Sequence, residues 1–375
     1  MKRQWLRGLA IGAAMSLLCG CGHYGDKNAE ARPEPALSAE DYQVEQFDTS
    51  LQQGYTWFFC ADERFYYTSG VQELMDDASR PVPLYAYDPS SGISEEIPLP
   101  LGEEWHLYSM TPAPDGGYWM VFTPLTFGNS VTDYTPKGAW LLKTDAEFQE
   151  LFRIDLSPYS QELVRIVNVI CPKSSQYAVD AKESMGWAKT NKNEFFKPEL
   201  LCDSRGRVYV AAVLENVLVF EPDGTLLQQF DIFDEAYAQG VCLSRTAQGD
   251  IAVSCAGAND YEIYVIDTEA MSIGAPFVRR TEGEYTDRLT PVSSLLPEYD
   301  LFGCGYYGLY GISLGPDGTY SSRPLLYYGE NNKLPQDENA IRRHTSSADQ
   351  LAFLHLGQAE EDRSKVLSLY TLTMK

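Results

Sequence analysis

Histidine is scarce in this chain, with four among 375 residues, and the motifs of several enzyme classes are missing from it. Neither HExxH nor GxxxxGK(S/T) occurs. Ser-His-Asp hydrolysis, His-ligated metal chemistry and P-loop nucleotide binding therefore have little in the sequence to support them. We predict no catalytic residue of these classes, no bound metal and no cofactor.

Positive charge is also in the minority. The chain has 29 Lys and Arg against 53 Asp and Glu, and its formal net charge is -24 at pH 7. Removal of residues 1–20, which hold cations and no anion, makes the charge about -27. Phosphate backbones and anionic lipid headgroups repel such a body. We therefore predict no nucleic-acid partner.

No two of the 8 cysteines have CxxC spacing, which argues against a zinc knuckle. Cys60, Cys171, Cys202 and Cys242 each end an apolar run just before a polar turn. A recurring position of this kind favours buried thiols that pack as small apolar side chains. If any pair forms a disulfide, the sequence favours Cys242 with Cys255, because they lie at similar distances from the same predicted turn.

Long hydrophobic runs are missing after Cys21, and the one before it, residues 9–18, is too short to span a bilayer. Positive residues precede this run and Leu-Cys-Gly-Cys closes it. The pattern resembles the lipobox of bacterial lipoproteins, in which the last Cys is lipid-modified and becomes the mature N-terminus. The resemblance implies Cys21 rather than Cys19, since Gly20 is small at the cleavage point. A plain secretory signal or a short membrane helix is the alternative.

The segment after Cys21 has the composition of a flexible tether. Residues 22–41 hold Gly, Pro, Ala and charged side chains without apolar periodicity. We therefore divide the chain into a signal peptide at 1–20, a lipidated Cys with its tether at 21–41, and a folded domain at 42–375.

A two-part unit recurs in the folded domain. An apolar run, a polar turn and a second apolar run precede a longer hairpin. Two hairpins in series form a four-stranded antiparallel sheet, and repeats of about 40–55 residues are typical of propeller blades. The first parts lie at 58–68, 108–122, 199–213, 240–255 and 344–356, and the second parts start at Leu84, Ala139, Asn216, Glu262 and Leu309.

Residues 209–230, YVAAVLENVLVFEPDGTLLQQF, resemble the repeats of NHL and related quinoprotein-like or YVTN propellers. This resemblance covers most of residues 43–375 and implies an all-β fold, a β-propeller of four-stranded antiparallel blades. The GH and WD dipeptides that are typical of WD repeats do not occur in this part of the chain. The sequence thus predicts a propeller without fixing the repeat family.

Turn spacing favours seven blades, one of them degenerate, with six blades and a long insertion as the alternative. The turns near residues 113 and 203 are about twice the usual distance apart, and 164–181 offers only half a blade. The C-terminal blade supplies three strands, and YQVEQFDT at Tyr42–Thr49 is similar to LLQQFDIF of an earlier blade. We expect this N-terminal strand to complete the last blade and cover its exposed edge.

Asp-containing turns occur as PDGG at Pro114, EPDG at Glu221 and GPDG at Gly315. They invite interpretation as calcium loops or sialidase-type Asp boxes. A calcium loop, however, needs several oxygen ligands at alternating positions, which a single PDG does not supply. Tight turns explain them better, because Pro sets φ, Asp bonds its own backbone and Gly accepts a positive φ.

Basic and aromatic residues concentrate between Lys173 and Lys197 in this otherwise acidic chain. A long loop of this composition indicates a recognition element for an acidic glycan or a protein, and a decorated surface insertion is the alternative. The candidate binding residues are Trp187, Lys189, Lys192, Phe195 and Phe196.

These features favour a monomeric, non-enzymatic lipoprotein that is lipid-anchored on the extracytoplasmic face of the membrane, at the cell surface or in the periplasm. Its propeller would bind a protein partner or an extracellular glycan. The first alternative is a propeller hydrolase or lyase acting on polysaccharide, for which the 53 acidic residues nominate no carboxylate pair. The second is an assembly scaffold that resembles the outer-membrane propeller lipoproteins in architecture.

Overall fold

A computed structural model describes residues 32–52, 56–59, 64–68, 83–99, 101, 105–127, 134–136, 139–160, 199–212, 216–232, 241–256, 261–280, 289–329, 334, 341–346, 350–358 and 365–375. Pro35–Lys375 is one compact unit and holds every described strand, and Met1–Glu34 is a separate unit of which residues 32–34 are described. Within these ranges a 3-10 helix at Ser157–Ser160 is the only helical element. None of the described helices could cross a membrane.

The strands of the described residues are short and numbered in chain order. They are β1 (Tyr42–Gln52), β2 (Thr56–Phe59), β3 (Phe65–Thr68), β4 (Leu84–Asp88), β5 (Ile93–Ile97), β6 (Trp105–Pro112), β7 (Tyr118–Phe127), β8 (Tyr134–Pro136), β9 (Trp140–Thr144), β10 (Glu150–Asp155), β11 (Glu199–Cys202), β12 (Val208–Ala212), β13 (Asn216–Phe220), β14 (Leu226–Asp231), β15 (Val241–Arg245), β16 (Ile251–Ala256), β17 (Tyr261–Asp267), β18 (Ser272–Ile273), β19 (Val278–Arg279), β20 (Thr290–Ser293), β21 (Leu301–Cys304), β22 (Gly308–Leu314), β23 (Thr319–Tyr327), β24 (Ile341–Ser346), β25 (Gln350–Gln358) and β26 (Lys365–Met374).

These strands pair into six sheets, which we call blades 1 to 6. Blade 1 has the order β2-β3-β4-β5, blade 3 the order β11-β12-β13-β14 and blade 4 the order β15-β16-β17-β18. Blade 2 has the order β6-β7-β9-β10 with β8 beside β7, and blade 5 has β20-β21-β22-β23 with β19 beyond β23. Blade 6 has the order β24-β25-β26-β1. The predicted all-β propeller of four-stranded antiparallel blades is confirmed.

The first strands of the blades form a closed ring. Each of β2, β6, β11, β15, β20 and β24 contacts the first strands of the two neighbouring blades. The described residues thus supply six blades, which was the alternative to the seven that turn spacing favoured. The degenerate seventh blade was expected after residue 164, and residues 161–198 lie outside the described ranges.

The N-terminal strand closes the ring. β1 lies antiparallel to β26, with Tyr42 opposite Met374, Gln52 opposite Val366 and a β-bulge between Asp48 and Leu51. The start of the chain is therefore the outermost strand of a blade whose other three strands come from its end, as predicted. Backbone hydrogen bonds between the two ends of the domain hold the ring shut.

Six hydrophobic clusters fill the spaces between neighbouring blades, one at each interface. β12 shows how the sequence produces this arrangement. Val208 and Val210 pack toward blade 2, Tyr209 packs toward blade 4, and all three are fully buried. A strand that is covered on both faces needs apolar residues at successive positions rather than at alternate ones, and VYVAA supplies them.

Tight turns join many of the strands, and several share one hydrogen-bond pattern. The carbonyl of Glu221 accepts from the Gly224 N–H, and the Glu221 N–H donates to the Thr225 carbonyl, each at 2.9 Å. Gly224 has a φ of +86°, which L side chains rarely adopt. The same pattern starts at Ala113, Asp203, Thr246 and Gly315. The prediction of tight turns at PDGG, EPDG and GPDG is therefore confirmed.

The folded unit begins at Pro35, ahead of the boundary predicted at Tyr42. The Ala36 N–H donates to the Pro324 carbonyl at 3.0 Å, and the Leu37 N–H donates to the Leu325 carbonyl at 2.9 Å. Both side chains pack on the cluster between blades 5 and 6. Two apolar residues in a Pro-rich stretch have no periodicity, so the sequence pattern did not separate them from the tether.

Candidate functional site

The faces of the ring differ in how the strands are joined. The turns between the first and second strands of a blade, and between the third and fourth, lie on one face, which we call the turn face. Neighbouring blades share it. Gly206 of blade 3 lies beside Pro114 of blade 2, and the Ala247 N–H of blade 4 donates to the Asp300 carbonyl of blade 5. The first strand of each blade begins at the opposite face.

The predicted lipid-attachment residue and the predicted binding loop lie outside the described residues. They are Cys21, Trp187, Lys189, Lys192, Phe195 and Phe196. The flanking strands are described: β10 ends and β11 begins at the face opposite the turns. Attachment at Cys21 and recognition by the loop therefore remain predictions.

The structure corrects the predicted disulfide between Cys242 and Cys255, because both are free cysteines. Cys242 lies opposite Ser254 in the β15–β16 register, and Cys255 lies opposite Val241. This offset of one residue directs the two thiols to opposite faces of blade 4, since side chains alternate along a strand. Burial raises the pKa of Cys242 to about 12, so its reactive thiolate is rare at neutral pH.

The expectation of buried thiols is confirmed for Cys202, whereas Cys242 is only partly buried; Cys255 and Cys304 are buried as well. Burial raises the pKa of Cys202 to about 12, and the nearby carboxylate of Asp203 raises it further. Burial likewise raises the pKa values of Cys255 and Cys304. Cys60 and Cys171 lie outside the described residues.

One hydrolase-like sequence pattern occurs in blade 5. Residues 311–315 read GISLG, which fits GxSxG. That motif is catalytic where its Ser sits on a sharp strand-to-helix turn. Ser313 instead lies inside β22 and pairs with Ser321 of β23. Gly311 is required by packing, because an added Cβ there would approach the Tyr299 ring to 2.3 Å. The geometry gives this serine a strand position and no nucleophile elbow.

The most developed polar arrangement of the described residues is a buried ion pair on the turn face, between Asp203 and Arg207. The Arg207 Nε donates to Asp203 Oδ2 at 2.7 Å, and the backbone N–H groups of Arg205 and Arg207 donate to Asp203 Oδ1. The turn between β11 and β12 therefore folds around one carboxylate. A buried charge pair is stable only when its remaining hydrogen-bonding capacity is also satisfied.

Residues of blade 4, together with Tyr209 of blade 3, satisfy that remaining capacity. Arg207 Nη2 donates to the Thr268 carbonyl at 2.7 Å, and Nη1 lies 3.1 Å from Met271 Sδ. Tyr209 donates its hydroxyl to Asp203 Oδ2 at 3.3 Å, and burial, together with the Asp203 charge, raises its pKa. An exposed ion pair between Arg205 of blade 3 and Glu269 of blade 4 adds a further contact between the two blades. The cluster joins blade 3 to blade 4.

A second buried cation lies in blade 2. Lys143 is 2% exposed, and its ammonium donates to Asp115 Oδ1 at 2.8 Å and lies 5.7 Å from the Trp119 ring centroid. Burial opposes ionisation of Asp115, but the hydrogen bonds from Lys143 and from the Gly117 N–H outweigh it and lower the pKa of this carboxyl. More than half of the Asp115 side chain is exposed. The turn face thus presents the exposed carboxylate of Asp115, which accepts a hydrogen bond from the buried ammonium of Lys143.

Hydrogen bonds join the first strand of blade 4 to the first strands of blades 3 and 5. The Ser244 hydroxyl donates to the Pro291 carbonyl at 3.1 Å, and the Arg245 N–H donates to Ser293 Oγ at 2.8 Å. The Arg245 guanidinium donates to the Cys202 carbonyl of blade 3. These bonds use backbone groups at the inner edges of the sheets, so three blades are held at fixed positions around the axis.

Five aspartates of the described residues have pKa values below the ordinary value of the side chain. Hydrogen bonds from Ser90 and Ser91 lower the pKa of Asp88, those from Thr225 lower that of Asp223, and those from Thr319 and Arg280 lower that of Asp317. Asp41 and Asp115 shift in the same direction. Such groups stay ionised at neutral pH, so they accept hydrogen bonds and bind cations but are poor general acids.

No protein-family model matches the chain, and no curated protein matches its sequence. Several solved structures are similar in fold. A protein of unknown function from Dyadobacter fermentans has 10% identity and a TM-score of 0.48, over 89% of this chain and 98% of that one. An auxiliary nutrient binding protein from Bacteroides ovatus has 10% identity and a TM-score of 0.44, over 89% and 77%. A quinoprotein alcohol dehydrogenase-like protein from Bacteroides thetaiotaomicron has 10% identity and a TM-score of 0.41, over 85% and 68%. None of these likenesses bears on the function of this chain.

Proposed function

We propose that this chain is an extracytoplasmic lipoprotein, attached to the membrane through Cys21, whose propeller binds a protein partner or an extracellular glycan. The sequence around Cys21 supports the attachment. The turn-face carboxylates support binding over hydrolysis: hydrogen bonds within turns or from cations lower the pKa values of Asp115, Asp223 and Asp317. A glycosidase needs a carboxylic acid that stays protonated long enough to give its proton to the leaving group.

The rigidity of the ring also supports a binding role. Buried clusters fill all six interfaces between the described blades, and β1 closes the last sheet. A surface that is already ordered loses little conformational entropy when a partner binds. A tether between the lipid and Pro35 would hold this surface away from the bilayer.

The attachment is tested by phase partitioning of the full chain produced in a bacterium. The wild-type protein should enter the detergent phase and incorporate labelled palmitate, and Cys21→Ser should remain in the aqueous phase unlabelled. Cys19→Ser is the matched control and should behave as wild type. Labelled Cys21→Ser protein would contradict the proposed attachment.

The binding role is tested with glycan arrays and with in-cell cross-linking of the anchored chain. Lys189→Glu with Lys192→Glu should weaken binding, because it reverses two charges in the predicted loop. Arg323→Glu with Lys375→Glu makes the same charge change at two exposed positions and is the control. Appearance of new reducing ends or unsaturated sugars on incubation with a bound polysaccharide would replace the binding role with that of a hydrolase or lyase.

A further inference from the structure

The outer edge of blade 5 is occupied by a short strand from the preceding connection. β19 pairs with β23 in parallel, with Val278 opposite Thr319 and Arg279 opposite Tyr320. The Val278 N–H donates to the Gly318 carbonyl at 3.0 Å, and the Arg280 N–H donates to the Tyr320 carbonyl at 2.9 Å. An extended segment thus binds this edge through two backbone donors.

A side-chain contact fixes the position of that segment. Arg280 Nη2 donates to Asp317 Oδ2 at 2.7 Å, and Asp317 is the Asp of the GPDG turn that begins β23. Phe277, just ahead of β19, is partly buried against the cluster between blades 4 and 5. The segment Phe277–Arg280 reads FVRR, two apolar residues followed by two cations. Phe277 packs on the cluster, Val278 is 46% exposed, the backbone pairs with β23, and Arg280 neutralises the charge of Asp317 in the turn.

Blade 3 has the same turn and the same edge, and no strand of the described residues pairs with that edge. PDGT occurs at residues 222–225 and again at 316–319. In both turns the Thr carbonyl bonds inward, Thr225 to the Glu221 N–H and Thr319 to the Gly315 N–H. The carbonyls of Gly224 and Leu226 therefore correspond to those that β19 uses in blade 5. Within the described residues β14 pairs with β13 alone.

The chemistry of this edge also suits such a segment. Leu226 and Leu227 are 37% and 40% exposed, and Gln228 beside them is exposed and uncharged. Exposed edge strands are commonly protected by charged side chains, which are missing from these three positions. Asp223 holds the position of Asp317, is exposed, and has no ion pair with any described residue. The edge thus offers backbone acceptors, apolar contact and one anion.

We propose that the edge of blade 3 at Gly224–Leu226 binds an extended segment of a protein partner in which apolar residues precede Arg or Lys, as Phe277–Arg280 binds blade 5. The inference rests on the proposed binding role and names the kind of protein partner. The net charge of -24 favours a basic segment and disfavours a second copy of this acidic chain. A β-bulge in the β13–β14 register between Val219 and Phe220, which leaves Leu227 of β14 without an opposite residue, limits the site to about the length of β19.

The test uses a fluorescent peptide with the sequence APFVRR, residues 275–280, titrated into the full chain and followed by polarisation. A second peptide carries N-methyl groups at the Val and final Arg, which removes both backbone donors and keeps the charge. The first peptide should bind, and the methylated one should bind about tenfold more weakly or worse, since two hydrogen bonds are lost. Equal binding would show attraction to an acidic surface alone and would overturn the proposal.

Single substitutions show which edge of the ring binds the peptide. Asp223→Asn should weaken binding by about two- to fivefold, the usual effect of an exposed ion pair, and 0.5 M salt should remove this difference. Leu226→Lys should weaken it further, by repelling the cations of the peptide. Leu151→Lys is the matched control, since Leu151 is exposed on the outer strand of blade 2. Weakening by Asp317→Asn in place of Asp223→Asn would mean exchange with β19 in blade 5 and would overturn the blade 3 site.

Failure of this site is distinguishable from failure of the proposed function. If the peptide does not bind while the anchored chain still cross-links a partner, the binding role stands and the edge site is wrong. Sedimentation of the full chain gives a separate check. A dimer that Leu226→Lys dissociates would show that a second copy occupies the edge, and this would overturn the partner segment.

Discussion

The Asp203–Arg207 pair illustrates how much a single side chain decides in this ring. Asp203 is 3% exposed and receives hydrogen bonds from two backbone N–H groups, a guanidinium and a phenol. Removal of its charge leaves Arg207 buried without a counter-ion. A buried cation without a counter-ion destabilises the folded state more than the absence of both charges would, because the cation has lost its hydration and no protein group replaces it.

We therefore expect Asp203→Asn to lower the free energy of unfolding by about 3–5 kcal/mol. Arg205→Gln breaks the neighbouring exposed pair with Glu269 and should lower it by less than about 1 kcal/mol. Urea denaturation followed by circular dichroism measures both. Similar losses for the two variants would show that Asp203 and Arg207 contribute no more than a surface pair.

Thiol reactivity gives a second prediction at the scale of residues. Burial raises the pKa values of Cys202 and Cys242 from 9.0 to about 12, and the pKa values of Cys255 and Cys304 also rise. The folded state keeps these thiols protonated where the unfolded chain ionises them. Their contribution to stability is complete below pH 9 and is lost as the pH rises toward 12.

Iodoacetamide labelling at pH 8, followed by peptide mass spectrometry, should leave these four cysteines unmodified in the folded protein and label them in urea. The melting temperature should fall progressively above pH 9, the ordinary thiol pKa. Rapid labelling of Cys242 in the folded state would contradict this account. Substitution of Cys242 by Ser is a control, since it removes one of the titrating groups.

The elements show which parts of the fold can be predicted from sequence. The turns at PDGG, DSRG and PDGT and the apolar runs on either side are local signals, and the structure places strands at all ten predicted half-units. β19 has two residues and no periodicity, so no local pattern marks it. Its position follows from Asp317 and from the open edge of β23, which are distant in sequence.

The wrong prediction of a disulfide between Cys242 and Cys255 has a similar cause. Cys242 and Cys255 are nearly symmetric about their turn, but the turn from Thr246 to Asp250 sets a register that is displaced by one residue. Sequence spacing does not resolve a displacement of one, and that displacement reverses the face on which a side chain lies. The sequence leaves the number of blades between six and seven for a related reason, since spacing between turns does not say whether an insertion folds as a blade.

The turns themselves provide a prediction about elements. Gly224 and Gly318 have φ values of +86° and +76°, so Ala at either position is strained by about 1 kcal/mol. An added Cβ at Gly224 would also approach Phe152 Cε2 of blade 2 to 2.6 Å, and at Gly318 it would meet nothing within 4 Å. Gly224→Ala should therefore lower the melting temperature more than Gly318→Ala. Equal shifts would mean that blades 2 and 3 separate easily at this contact.

At the scale of the molecule, β1 makes the stability of the ring depend on its N-terminal strand. Truncation before Pro35 should leave the melting temperature unchanged, because Met1–Glu34 is a separate unit. Truncation before Gln53 removes β1 and exposes the edge of β26 along its length. The second variant should unfold at a lower temperature or aggregate, as measured by scanning calorimetry and light scattering. A β1-less chain with wild-type stability would show that blade 6 closes without it.

Because β1 and β26 run side by side, a force applied to Tyr42 along the strand axis acts parallel to both strands. The hydrogen bonds from Tyr42–Met374 to Gln52–Val366 then share the load in shear. The backbone hydrogen bonds of Ala36 and Leu37 to β23 bear part of any load that is applied ahead of them. A strand pair that is loaded in shear resists force far better than one whose hydrogen bonds break one after another. β1, the strand that completes blade 6, is thus suited to bear a load applied at the N-terminal end of the domain.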